Sequence, residues 1–227
     1  MSKAKKKKKK RKLNKKRVLT FLIILLLIGF LIYYIINIKI KNIYISGNIY
    51  LTDQQVIDIA DITDYPKSLN NLSASIKKRL NNDTFILNSK VYKTNFLSSI
   101  HIKIEENYPL FYYQVKNKTV LYNKDEVDFN GLIPTVLNQI PDTIYNKFIE
   151  KMRKLDLNIL NRISEIEYKP NEVDEERFLL FMNDGNYVYL TLYKFTSINK
   201  YIDMLKSFDN KKGILHLDSG KYFEVIE

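Results

Sequence analysis

Val18 to Ile38, VLTFLIILLLIGFLIYYIINI, is a run of 21 residues without one charge. At ~1.5 Å of helical rise per residue it crosses the ~30 Å hydrocarbon core of a bilayer. Gly29 is ordinary inside such a helix, and Tyr33 and Tyr34 fall near its far end, where amphipathic rings favour the interface. The flanks differ in charge. Residues 1–17 hold ten Lys and two Arg and no acid. The positive-inside rule therefore puts the N-terminus in the cytoplasm and everything after residue 38 on the other side. Of the 37 Lys and Arg, the 25 beyond this tail balance the 25 Asp and Glu, so the net charge of +12 belongs to the tail alone. A basic face spread over a folded domain, as nucleic acid binding requires, is not indicated.

A cleaved signal peptide would carry an apolar region of ~7–15 residues followed by small residues. Here the run is longer and no Ala lies between Ala4 and Ala60, so the expectation is an uncleaved single-pass anchor over 18–38. The tail, Lys5 to Lys12 above all, reads as a charge-repelled topology signal with attraction to anionic lipid headgroups.

Residues 39–107 alternate and then coil. Lys39 to Ile45 predicts a half-buried strand with Ile43 and Ile45 on one side, closed by Ser46-Gly47-Asn48. Thr52-Asp53-Gln54-Gln55 is a capping box with Leu51 and Val56 in the staple positions. Val56, Ile59 and Ala60 form the inward stripe of the helix that follows. After Pro66, Leu69, Leu72, Ile76 and Leu80 predict one face of a second helix ending at Asn81-Asn82. Strands are expected around Ile86 to Lys93 and over Ser98 to Glu105, where Ile100, Ile102 and Ile104 alternate with His101, Lys103 and Glu105. His101 points away from the isoleucines and reads as a plain strand residue. Two helices can bury their stripes only against one face of the sheet, which gives a two-layer α+β module of order β-α-α-β-β.

Residues 108–227 predict a β-rich domain with two helices. Phe111–Val115 and Thr119–Tyr122 form a hairpin. Asp142–Lys154 is an amphipathic helix with Ile144, Phe148 and Met152 inward, and Ile163–Tyr168 is a strand. Arg177–Met182 and Tyr187–Leu192 pair across Asn183-Asp184-Gly185-Asn186. Thr196 is expected to cap a helix with Ile198, Ile202, Leu205 and Phe208 on its apolar face, and Gly213–Leu217 to be a final strand.

Taken in order, these segments resemble the FtsQ/DivIB family of bacterial cell-division proteins. The resemblance rests on the basic tail, the single membrane helix, "IKNIYISGNIYLTDQQVIDIADI" with Gly47 and Asn48, and "IHIKIEENYPLFYY" with Glu106 and Pro109. Asn107 stands where the family usually has Arg, so no role of that Arg carries over. Further on, "MNDGNYVYL" carries Asp184, Gly185 and Val188, and "GILHLDSGKYF" carries Asp218, Ser219 and Gly220. The resemblance implies a short cytoplasmic tail (1–17), a transmembrane helix (18–38), a POTRA domain (39–107) and a β-rich domain (108–227). POTRA modules of outer-membrane assembly proteins precede a large β-barrel, which ~120 residues with two helical segments do not supply.

The same resemblance implies a partner site. In the family a late strand takes a β-strand from small bitopic coiled-coil division proteins of the FtsL and FtsB/DivIC type. Here that carries to Leu215, His216, Leu217, Asp218, Ser219 and Gly220, with Tyr222 and Phe223 as aromatic contacts or as cover for the domain's own core. Ile214–Leu217 is expected to be the open edge, with Gly220 turning the chain away from it. The expectation is a septal scaffold that helps regulate peptidoglycan synthesis, with no catalytic residue, no metal, no cofactor, no nucleic acid and no small-molecule substrate.

Enzyme signals are weak. The chain has no Cys and two His, which excludes thiol nucleophiles and Cys-ligated zinc. Ser-x-x-Lys occurs at Ser2, Ser75 and Ser197 without its companion motifs. Glu105-Glu106 and Asp174-Glu175-Glu176 read as solvated surface rather than as a glycosidase pair. The alternatives are a membrane-anchored POTRA-bearing adaptor unrelated to division, or a cell-wall enzyme or cofactor-binding receptor, which would need a deep apolar pocket with convergent polar groups.

Overall fold

A computed structural model describes residues 14–208 and 211–226. Most of the lysine-dense tail lies outside them. The chain forms two compact units, the first ending at Glu106 and the second beginning at Asn107.

The first unit opens with α1, Lys15–Ile36, capped by the Asn14 side chain, which accepts from the Lys16 N–H at 3.1 Å. The helix stops two residues short of the apolar run. Asn37 ends it by donating its N–H and its side-chain amide to carbonyls of the last turn, the latter to Tyr33 at 2.8 Å. It is the one helix among the described residues long and apolar enough to cross a membrane.

After α1 come β1 (Asn42–Ser46), α2 (Asp53–Ala60), α3 (Ser73–Asn81), β2 (Ile86–Thr94) and β3 (Ser99–Glu106). The β-α-α-β-β order makes a sheet β1-β3-β2, with β1 parallel and β2 antiparallel to the central β3. The capping box forms as the sequence spells it: Gln55 N–H donates to Thr52 Oγ1 at 3.2 Å, and Thr52 N–H to Gln55 Oε1 at 2.8 Å. Val56, Ala60, Ile76, Leu80, Ile100, Ile102 and Ile104 make the core, with Ile43, Ile45 and Ile59 packed at its margin.

The second helix departs from expectation. Leu69 and Leu72 are exposed, and α3 starts only at Ser73. Hydrogen bonding wins over periodicity here. Ser68 donates its N–H to Ile38 C=O at 2.8 Å, and Asn71 bonds Lys67 C=O and Arg79, so residues 66–72 are spent on turns. Such local bonds compete with helix.

The second unit holds β4 (Pro109–Tyr113), β5 (Lys118–Leu121), β6 (Glu126–Val127), β7 (Thr135–Val136), α4 (Asp142–Met152), α5 (Leu157–Leu160), β8 (Ile163–Tyr168), β9 (Arg177–Met182) and β10 (Tyr187–Thr191). A 3₁₀ segment (Phe195–Lys200), α6 (Tyr201–Lys206), β11 (Gly213–His216) and β12 (Tyr222–Val225) follow. Nine strands form one sheet in the order β12-β11-β10-β9-β8-β7-β4-β5-β6. Against it packs α4, with Met152 buried and Phe148 stacked on Phe178 at 4.9 Å and edge-on to Phe195 at 5.7 Å. Thr196 caps nothing; it lies inside the 3₁₀ segment, and the side chains fully turned inward are Ile198, Tyr201 and Met204 rather than Ile202, Leu205 and Phe208. The tighter 3₁₀ turn rotates the apolar face relative to a continuous α-helix.

Candidate partner-binding site

The last two strands decide where a partner strand could add. β10 pairs with β11 in parallel through Tyr187–Ile214, Val188–Leu215 and Tyr189–His216. β12 then pairs antiparallel on the other side of β11, from Gly213–Val225 to His216–Tyr222. The expected edge, Ile214–Leu217, is therefore an interior strand. The turn Asp218–Lys221 brings the chain back instead of away, and Leu215 and Leu217 are buried in the core. Length is the physical reason: residues 221–226 suffice for one more strand, and a strand pairs with the nearest free row of N–H and C=O groups.

The open edge is β12. Ile226 N–H donates to Lys212 C=O at 3.1 Å. Antiparallel ladders alternate, so the N–H groups of Glu224 and Tyr222 also face β11, while those of Phe223 and Val225 face outward. Among the described residues no strand lies beyond β12. At the far end of the sheet β6 has two residues, flanked by the Lys116–Glu126 and Lys118–Asp128 ion pairs at 2.6 and 2.8 Å, a short and charged edge of the kind that discourages pairing.

A ladder of side chains supports the edge from one face. The Arg177 guanidinium lies 3.8 Å from the Tyr189 ring centre, Tyr189 stacks on His216 at 5.4 Å, and His216 stacks on Tyr222 at 4.3 Å. Arg177 Nε donates to Asp218 Oδ2 at 2.7 Å, and Lys194 Nζ to Asp218 C=O at 3.1 Å. Burial would push the Asp218 carboxyl up, but the Arg177 hydrogen bond and charge, with the Ser219 backbone N–H, hold it below the usual carboxylate range. His216 Nε2 lies 3.3 Å from Glu224 Oε2. On the opposite face Phe223 stacks on Phe208 at 5.0 Å. Of the two aromatic residues named from the sequence, Phe223 thus covers the domain's own core, and Tyr222 is half exposed at the edge.

The hairpin residues act on the same strands. Gly185, at φ +86°, closes the β9–β10 turn, and Val188 is buried opposite Leu215. Asp184 accepts from Tyr201 Oη at 2.9 Å. Asn186 donates to Tyr201 Oη at 3.0 Å and accepts from Gly213 N–H at 2.9 Å. The turn thereby holds α6 and fixes where β11 begins. Arg177, Tyr189, Asn186 and Tyr201 were not legible as site residues; an Arg opening an otherwise apolar strand was the one available hint.

In the first unit Glu106 is a latch. Its buried carboxylate accepts from the N–H groups of Ile49, Tyr50 and Leu51 at 2.8, 2.9 and 2.9 Å, pinning the β1–α2 loop to the end of β3. Asn48 donates to Leu51 C=O and to Asp53. Gly47, at φ +87°, passes so close to Ile104 C=O that a Cβ would collide with it. Pro109 opens β4, buried. His101 is more than a plain strand residue, being sandwiched between Tyr44 and Tyr92 at 4.7 and 4.8 Å.

Two grooves among the described residues can be set against an enzyme site. One of about 480 Å³ lies beside β4–β6, where Tyr112 donates to Asn117 at 2.6 Å and Lys118 to Asp128 at 2.8 Å. The other, about 390 Å³, is lined by Ile40, Ile43, Ile57 and Ile62 together with Lys41, Gln54, Thr63, Asp64 and Tyr65. No group of three His, Cys, Asp or Glu side chains able to hold a metal occurs among the described residues.

Comparison with known proteins places these features in a family. A family profile described as "POTRA domain, FtsQ-type" matches residues 38–107. Cell division protein DivIB of Bacillus anthracis is 30% identical over 207 residues, 87% of this chain and 78% of the relative. DivIB of Bacillus cereus is 30% identical over 197 residues, 83% and 77%. DivIB of Bacillus subtilis is 28% identical over 203 residues, 82% and 74%. The solved major extracytoplasmic domain of DivIB from Geobacillus stearothermophilus aligns over 45% of this chain and 94% of that one, at 20% identity and a TM-score of 0.37. With a POTRA domain of the FtsQ type followed by a β-rich unit, this chain belongs to the DivIB family of cell division proteins.

Proposed function

We propose that the chain is a non-enzymatic, single-pass scaffold of the bacterial division machinery. Its N-terminus lies in the cytoplasm and its two folded units outside, concentrated at the septum. It takes a β-strand from small bitopic coiled-coil partners of the FtsL and FtsB/DivIC type, and by holding them helps regulate septal peptidoglycan synthesis. The observation that carries this is the open row of main-chain groups on β12, backed by the Arg177–Tyr189–His216–Tyr222 ladder. Strand addition draws affinity from such a row and specificity from alternate side chains. Tyr222, Val225 and the Asp218-Ser219-Gly220 turn are the proposed contacts, while Leu215, His216, Leu217 and Phe223 hold β12 in place. The Tyr112–Asn117 and Lys118–Asp128 pairs in the β4–β6 groove support a scaffold over an enzyme or receptor.

Val225→Pro tests the site. It removes an outward N–H and leaves the β11–β12 bonds intact. Leu217→Pro would be the wrong probe, because Leu217 N–H donates to Tyr189 C=O at 2.8 Å within the sheet. Co-purification of coiled-coil partners with full-length Val225→Pro from detergent should fall roughly tenfold or more, about 1.4 kcal/mol for one lost main-chain bond. Undiminished capture by the folded variant removes β12 as the site. A fluorescent fusion forming a uniform rim instead of a mid-cell band removes the division role.

A further inference from the structure

The end of the first unit nearest α1 is tied to the chain leaving that helix by main-chain hydrogen bonds. The chain leaves α1 at Ile36, and Lys41 follows five residues later, no more than ~18 Å of extended chain away. Along this short link, Ile38 C=O accepts from Ser68 N–H at 2.8 Å, Ile40 N–H donates to Pro66 C=O at 2.9 Å, and Lys41 N–H donates to Ser98 C=O at 2.7 Å. Two loops, residues 64–72 and 95–98, are thus tied to the exit of the membrane helix. Ser68, fully buried, joins them: its hydroxyl donates to Leu97 C=O at 2.7 Å and receives Lys93 Nζ at 2.9 Å.

With the polar groups spent inward, apolar side chains face out. Phe96 is 94% exposed, Tyr65 66% and Leu69 36%. Asn95, Phe96 and Leu97 are all left-handed, at φ 50°, 49° and 70°, a costly conformation for Phe and Leu. Segments 37–41, 64–69 and 95–98 carry Lys39, Lys41 and Lys67, all exposed, against one acid, Asp64.

We infer that this end is a membrane-contact surface: Phe96, Tyr65 and Leu69 seat in the headgroup layer of the bilayer that α1 crosses, and Lys39, Lys41 and Lys67 meet anionic lipid phosphates. Aromatic rings and lysines are the residues that a lipid interface accepts, and the tether keeps the patch within reach of it. The inference rests on α1 crossing the bilayer and is independent of the division role.

The chain has no Trp, so Phe96→Trp and Val173→Trp each install a single fluorophore. Val173 is 95% exposed in the second unit. The full chain is reconstituted into vesicles of phosphatidylcholine, with and without phosphatidylglycerol, containing lipid brominated near the headgroup. Co-flotation with the vesicles reports α1 separately, and circular dichroism reports folding. Phe96→Trp should emit to the blue of Val173→Trp and be quenched by brominated lipid roughly twofold more, with the difference larger in anionic vesicles and smaller at high salt. Quenching of Phe96→Trp by aqueous iodide as strong as that of Val173→Trp, with none by brominated lipid in either composition, overturns the inference. So does protection from iodide without quenching by lipid, which would mean a protein contact.

Discussion

Glu106 shows how one side chain can set a loop. Three main-chain donors converge on its buried carboxylate, and hydrogen bonds to a charged acceptor are worth more than neutral ones. Glu106→Ala should destabilise the first unit by on the order of 3 kcal/mol, read as a lower denaturation midpoint. Glu106→Gln, which keeps one acceptor oxygen but turns an amide toward an N–H, should cost about half. Loss of amide protection confined to residues 49–51 would locate the effect. Asp218 gives the second unit an acid limit. Its folded pKa lies below the unfolded value, so its contribution is fully present at neutral pH and is lost as the pH falls below about 4. Asp218→Asn should flatten that part of the stability profile. At neutral pH it should cost about 2–3 kcal/mol, because Arg177 is left in a largely buried site without its charge partner.

Among elements, the β9–β10 turn and β11 stand or fall together. Tyr201→Phe deletes the hydroxyl shared by Asp184 and Asn186 and should cost about 1–2 kcal/mol, with faster amide exchange at Gly213. Gly213→Ala acts on β12 directly, since a Cβ there would run into Glu224 C=O. Exchange across residues 222–225 should rise in that variant while β9 and β10 stay protected. Much at this scale was readable from sequence. The capping box at Thr52, the isoleucine alternation of β3 and the bounds of β8 are local signals that tertiary packing had no reason to override. Leu69, Leu72 and Thr196 misled, because spacing is blind to the side-chain hydrogen bonds and 3₁₀ turns that compete with a regular helix. The open edge misled for another reason: which strand lies outermost depends on what folds back over it, and periodicity carries no neighbour information.

For the whole molecule, the two apolar cores are built from separate stretches, residues 40–104 and 110–217. Denaturation should therefore show two transitions, with Glu106→Ala lowering one and Asp218→Asn the other; a single transition displaced equally by both variants would contradict this. Protease added to intact spheroplasts should remove both units and spare the lysine-rich tail, and an untouched pair of units would reverse the orientation. Where the chain leaves α1, Asn37 is bonded back to Tyr33, and Ile38 and Ile40 are already clasped by Ser68 and Pro66. Such a joint has few torsions left in which to swivel. A twist of α1 about its own axis would then be handed on to the three-stranded sheet like torque through a keyed shaft, rather than dissipated in slack chain.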